Sequence, residues 1–220
     1  MIQIDPQIQM QLSGTHIPTD GSQIAPGAPD PVQPYGVFLS PSSPSARIFR
    51  VNGPAYAVFE AFYTRPYVPG STNFCLSFDL KTDANAPLRA QVIETDHIVV
   101  VNGWKYNLSM QINYAQDGWA QIPNQAGVWT NVPTGLFKPL PANVTQHYDL
   151  ISSINLATHM YSFQEIWIAG AKCTVPAAMQ NLEAVATTWP NQVLVQLQLA
   201  LNSTGGSFEV EVDNARVISS

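Results

Sequence analysis

The 220 residues carry 9 Lys and Arg against 15 Asp and Glu, a formal net charge of −6, and charged residues make up only 11% of the chain. Most of the polarity therefore comes from Asn, Gln, Ser and Thr, and without a basic cluster the chain has no means to neutralise a row of phosphates, which excludes nucleic acid as the expected partner. No apolar run approaches the roughly 20 residues that a membrane-spanning helix requires, so no membrane span is expected, and the length suits one domain over residues 1–220.

Taken in order, the chain alternates apolar and polar residues with period two and nowhere sustains a helical apolar stripe, an all-β pattern. Ile2, Ile4, Ile8, Met10 and Leu12 share one parity, and Pro6 on that parity points to an edge strand or a broken one. Residues 13–34, rich in Gly and Pro, read as a long surface loop. Strands are then expected at "YGVFL", "ARIFRV", "AYAVFEAFY" and "NFCLSFDLKT", separated by segments with turn chemistry.

The segment "VVVNGWKYNLSMQINY" contains Asn-Gly between alternating runs, the strongest short hairpin cue, and it fixes a register. With Asn102 and Gly103 at the turn, Val101, Val99, His97, Thr95 and Ile93 pair with Trp104, Tyr106, Leu108, Met110 and Ile112 on a core-facing side. On the other side Ile98 meets Asn107, Asp96 meets Ser109, Glu94 meets Gln111, and Val92 meets Asn113. A three-residue turn at Gln116, Asp117 and Gly118 would continue the pattern. It sets Ile112 against Ile122 and Asn113 against Gln121, with Trp119 on the polar side. Val128 and Val132 then claim the core and send Trp129 and Asn131 outward.

Later strands are expected at "VTQHYDLISSINL", "YSFQEIWIAG", "QVLVQLQLAL" and "SFEVEVDNARVIS", with at most a helical turn in "PAAMQNLEAVATTWP". In the third of these Val193, Val195, Leu197 and Leu199 face the core while Gln196 and Gln198 face away. Trp167 is ambiguous, because Ile166 and Ile168 claim the core parity while Phe163 shares that of Trp167. So many strands of this length are best accommodated by two packed sheets, an antiparallel β-sandwich.

The outward set holds Glu94, Asp96, Asn107, Ser109, Gln111, Asn113, Trp119, Gln121, Trp129 and Asn131. Asn is disfavoured in strands, so amides on a strand face need a reason beyond wetting. Amides that both donate and accept, with a carboxylate pair and flanking indoles, suit a neutral polyhydroxylated ligand, a glycan or polysaccharide. The alternatives are a glycan-cleaving enzyme using Glu94 and Asp96, or an interaction sandwich without a small ligand.

The motifs "FCLSFDLKTD", "AQVIETDHIVV", "GWKYNLSMQINYA" and "FEVEVDNARV" together resemble the concanavalin A-like lectin/glucanase superfamily of jelly rolls, over roughly residues 73–219. That resemblance implies a concave sheet carrying the sugar site. In family 16 glycoside hydrolases of the superfamily a strand reads E-x-D and then a second Glu, serving as nucleophile, helper and acid/base. Glu94 and Asp96 match the first two places, but Ile98 and Val99 stand where the second Glu belongs. A retaining reaction needs carboxyls about 5–5.5 Å apart in separate roles, and Glu165 is the candidate for an acid from elsewhere. Polysaccharide lyases of the same fold use Gln, His, Arg and Tyr. Here Gln111, His147 and Tyr148 are candidates, while His97 is expected in the core and Arg89 near a turn.

His16, His97, His147 and His159 lack close transition-metal spacing, so no cofactor is expected beyond a structural calcium, for which Asp213 is a weak candidate. Trp104 and Tyr106 are expected in the core. Cys75 and Cys173 could pair if the chain is exported, or stand as two buried thiols. The composition resembles that of exported bacterial β-proteins, so a secreted or extracytoplasmic location is expected, with any signal outside this sequence and a cytoplasmic one left open. Oligomeric state is not written in the sequence.

Overall fold

The computed structural model describes residues 3–4, 11–16, 36–39, 47–114, 118–121, 130–131 and 138–220. Among them the first nine strands are β1 (Gln3–Ile4), β2 (Gln11–His16), β3 (Gly36–Leu39), β4 (Arg47–Gly53), β5 (Val58–Pro66), β6 (Asn73–Thr82), β7 (Ala90–Val101), β8 (Trp104–Asn107) and β9 (Met110–Asn113). Nine more follow: β10 (Gly118–Gln121), β11 (Thr130–Asn131), β12 (Gln146–Asn155), β13 (Met160–Ile168), β14 (Ala171–Cys173), β15 (Leu182–Glu183), β16 (Val185–Ala186), β17 (Gln192–Leu201) and β18 (Gly206–Ser219). Among the described residues the helical content is a single turn, α1 (Ala86–Arg89), and a 3-10 turn at Ala177–Met179. The latter lies where a helical turn was expected. The former falls in one of the segments expected only to separate strands, where Asp83 Oδ1 accepts hydrogen bonds from the Asn85 and Ala86 backbone amides and closes the turn.

The strands form two antiparallel sheets packed as a sandwich, as the alternation predicts. One runs β14-β13-β12-β6-β18-β4-β3 with β1 beside β18, and the other runs β11-β10-β9-β7-β17-β5-β2. The N-terminal stretch is indeed broken, with β1 joining the first sheet and β2 the margin of the second. β2 continues to His16, into the segment expected to be loop, and residues 17–34 lie outside the described residues.

The core lies between the sheets. From the first come Phe49, Phe74, Phe78, Tyr148, Phe163 and Phe208, and from the second Phe59, Ile93, Val99, Tyr106, Leu197 and Leu199, all within one apolar cluster. Phe78 stacks on Tyr148 with centroids 5.2 Å apart. His97 belongs to this interior as expected, 0% exposed and edge-on to Phe74 at 5.9 Å. The ambiguity at Trp167 is resolved by a register shift in the β12–β13 ladder between Ile151 and Ser152. The irregularity lets both Phe163 and Ile166 reach the core, 1% and 0% exposed, and leaves Trp167 half-buried. Tyr106 is core, whereas Trp104 is half-buried and stacks on His159 at 4.0 Å, joining the β7–β8 turn to the β12–β13 turn.

Candidate functional site

The hairpin that places the site has the expected geometry. Asn102 and Gly103 take φ of 53° and 80°, the left-handed pair that a two-residue turn between twisted strands requires. The predicted pairs Val101–Trp104, Val99–Tyr106, Ile98–Asn107, Thr95–Met110, Glu94–Gln111, Ile93–Ile112 and Val92–Asn113 are all present. Strand pairing lapses at Leu108 and Ser109, where the Leu108 amide still donates to the His97 carbonyl at 2.8 Å.

Beyond Asn113 the register departs from expectation. Trp119 stands opposite Ile112, Gly118 opposite Asn113 and Ala120 opposite Gln111. Trp119 therefore shares the register row of Ile112 and not that of Glu94 and Gln111. The ladder is offset by three residues from the expected pairing of Asn113 with Gln121, and an odd offset exchanges the two faces of a strand. Gln121 pairs with Thr130, and Asn131 pairs with Ala120, which keeps Asn131 in the row of Gln111 and Glu94. Trp129, Val128, Ile122 and Val132 lie outside the described residues.

The outward face of the second sheet is not a wet one. Glu94 is 4% exposed, Asp96 0%, Ser109 1%, Gln111 5% and Gln196 3%. β17 brings Gln196 opposite Asp96 and Gln198 opposite Glu94. Gln198 Nε2 donates to Glu94 Oε2 at 3.1 Å, and the Ser109 hydroxyl donates to Asn107 Oδ1. Neither Asp96 oxygen meets a donor in good hydrogen-bond geometry, although Ser109 and Glu94 are close enough to favour its charged form. Burial outweighs their help and that of the Lys105 charge, and holds the Asp96 carboxyl above the usual carboxylate range. Around this buried floor stands a half-buried rim of Lys105, Asn107, Asn113, Trp189 and Gln198.

Two rim residues escaped the sequence reading. Lys105 pairs with Val100 and so shares the parity of Asn107 and Asp96, a consequence of the hairpin register that was there to be drawn. Its ammonium lies 5.3 Å from the centre of the Trp189 ring, and burial lowers its pKa against the opposing pull of Asp96. Trp189 lies in a segment of irregular chain, where no periodicity could have placed it.

The position that a second catalytic Glu would take is filled by apolar packing. Ile98 is 1% exposed and clusters with Val100 and Leu194, with Trp189 against them. Glu165 cannot supply the acid, because it lies on β13 in the other sheet. There Lys172 donates to its Oε1 at 2.6 Å and Trp167 to its Oε2 at 3.0 Å, interactions that lower its pKa and hold it ionised. The lyase candidates separate likewise. Gln111 is on the second sheet, whereas His147 and Tyr148 are on β12 of the first, with Tyr148 in the core. Arg89 ends α1 and donates to Thr204 Oγ1 at 3.1 Å.

On the outer face of the first sheet His147 Nδ1 lies 2.6 Å from Asp79 Oδ1 and Nε2 lies 3.2 Å from Asp149 Oδ1. Asn214 Nδ2 donates to Asp79 Oδ2 at 2.7 Å, and Asp213 stands opposite Asp79. No group of three or more His, Cys, Asp or Glu side chains able to hold a metal gathers among the described residues, and Asp213 belongs to no such set. Cys75 and Cys173 are unpaired, and burial together with the Asp149 charge pushes the Cys75 thiol up to about 11. No helix among the described residues is long and apolar enough to cross a membrane.

No family model matches the chain, and no curated protein matches it. Among solved structures, the chain is similar to the alginate lyase Aly36B at 12% identity and a TM-score of 0.49, over 80% of this chain and 83% of that one. It is similar also to arcelin-5, a lectin-like defense protein from Phaseolus vulgaris, at 10% identity and a TM-score of 0.47, over 84% and 92%. A structure of carbohydrate-binding modules from the β-sandwich superfamily gives 11% identity and a TM-score of 0.40, over 82% and 52%. At such identities no residue here takes a role from its counterpart there.

Proposed function

We propose that the chain is a carbohydrate-binding domain of lectin-like, concanavalin A-like jelly-roll type, acting on glycans outside the cytoplasm. The observation that carries this reading is a pair of carboxyls, Glu94 and Asp96, buried within amides and hydroxyls on the sheet face opposite the core. Folding gains little from such an arrangement, since burying the Asp96 carboxyl and the Gln196 amide nitrogen without full hydrogen bonding opposes stability. Groups kept under that penalty are candidates for a binding site. In this reading the rim residues Asn107, Asn113 and Gln198 exchange hydrogen bonds with sugar hydroxyls, and the Trp189 indole offers a flat apolar surface to a sugar C–H face. Glu94 holds the Gln198 amide in place, and Ser109, Gln111 and Asp96 form the polar floor. Asn131 extends the row beyond Ala120.

Binding on a glycan array that weakens about ten-fold in Gln198→Ala or Trp189→Ala, the loss of roughly one good contact, supports the proposal. The absence of binding to any glycan rejects it. Reducing ends released from polysaccharide by the native chain and not by Glu94→Gln would replace it with the hydrolase reading.

A further inference from the structure

A second concave site lies on the opposite sheet, a groove of about 500 Å³ at the end of the β12–β13 hairpin. That volume falls in the range of small-ligand sites, roughly 300–1,000 Å³. Its polar lining includes hydroxyls of Thr72, Ser153, Thr158 and Ser162 and amides of Asn155, Gln164 and Asn181, and among the described residues it holds no Asp, Glu, Lys, Arg or His. An anion or cation entering it would leave water without meeting a counter-charge, whereas a neutral molecule bearing many hydroxyls would find donors and acceptors along the whole wall.

The wall is held in place. Gln164 Nε2 donates to Ser153 Oγ at 2.8 Å, and the Asn181 backbone N–H donates to Ser162 Oγ at 2.8 Å. Asn155 Oδ1 accepts from the Ala157 and Thr158 amides at 3.0 and 3.1 Å, which fixes the rim. Half-buried Leu156 and Met160 supply apolar surface beside these polar groups. A fixed set of neutral donors and acceptors next to an apolar patch matches the two kinds of surface on a pyranose ring.

We propose that this groove is a second ligand site, taking a neutral saccharide unit independently of the Glu94 face. The two sites stand on different sheets, so one chain holds two sugar units at once and bridges neighbouring glycan strands. Occupancy of the groove does not rest on the reading given to the Glu94 face, whereas the bridging does.

The test titrates the full chain with neutral cello-, xylo-, manno- and laminari-oligosaccharides to millimolar concentration, following backbone amide resonances. Saturable shifts at Ser153, Ser162, Gln164 and Asn181 are expected. They should persist in Glu94→Gln and weaken about ten-fold in exposed Gln164→Ala. Asn155→Asp keeps the oxygen that fixes the turn and adds a charge, so it should weaken binding with the fold intact by its amide spectrum. Shifts at these amides that are indifferent to Gln164→Ala and Asn155→Asp, or no shifts there with any of the four sugars, overturn the proposal. Shifts confined to Asn107, Asn113 and Gln198 overturn it while leaving the first site standing.

Discussion

Asp96 stands directly opposite Gln196 in the β7–β17 ladder, and both side chains are buried on the face turned away from the inter-sheet core. A carboxyl so placed is easier to keep neutral than charged. Its folded pKa lies above the ordinary value of 3.8. Folding therefore binds a proton, and the penalty for Asp96 appears as pH rises from the unfolded value through the folded one. Asp96→Asn, which cannot ionise, should raise Tm relative to the native chain at pH 8. That advantage should shrink as pH falls toward 3.8, and thermal melts across pH check it. An advantage that is the same at all pH values would show that burial does not raise the Asp96 pKa.

The Ile98 position offers a direct comparison with the family 16 pattern. Ile98→Glu restores the third acidic residue in sequence but puts a charge among Val100, Leu194 and Trp189. The expected outcome is a loss of about 3–5 kcal/mol, as for an unpaired buried charge, without hydrolytic activity. Denaturant melts and a reducing-end assay read the two parts. Retained stability with new reducing ends would mean that this pocket tolerates catalysis.

His147 should titrate above the ordinary histidine value of 6.5. Burial of the ring opposes its charge, but the hydrogen bond to Asp79 and the charges of Asp149 and Asp79 outweigh it. The stabilisation from the imidazolium is thus fully present below pH 6.5 and is lost as pH rises through the folded pKa, and partial exposure keeps it modest. Ring resonances followed against pH give the value directly. Asp79→Asn should lower it, and a native value at or below 6.5 contradicts the assignment.

Gly205 has φ of 64°, and a Cβ there would lie 2.8 Å from the Pro54 carbonyl carbon and 2.9 Å from the Ala55 nitrogen. Both neighbours are backbone and cannot swing aside. Gly205→Ala should cost about 1–3 kcal/mol, the usual range for strain at a constrained backbone position. A denaturation midpoint equal to the native one would show that the loop shifts without cost.

How much of this was legible follows from which interactions are local. The β7–β8 turn needs only Asn102 and Gly103, and alternation carried the register from there to Asn113. Both sheets of the sandwich follow from the same alternation, down to the inward Val193 and Leu197 and the outward Gln196 and Gln198. Beyond Asn113 the three-residue turn expected at Gln116, Asp117 and Gly118 did not carry the register, and Trp119 stands opposite Ile112. Trp189 joined the candidate site from a segment with no period, and the shift at Ile151 depends on pairing that sequence alone does not reveal. Burial of the Glu94 face was likewise hidden, because a polar row reads as exposed until its neighbours are placed.

The central strands of both sheets have distant partners, a fact that bears on how the molecule assembles. β7 pairs with β17 through Val100 opposite Gln192, and β6 pairs with β12 through Leu80 opposite Gln146. The Asn102–Gly103 hairpin can form within about 1–10 μs, but the ladders that complete each sheet wait for long loops to close, and topologies of this kind fold in milliseconds to seconds. The contact between Gln198 and Glu94 belongs to that slow step. Until the ladder forms, the Gln198 amide cannot reach the Glu94 carboxylate, so that bond is a late one.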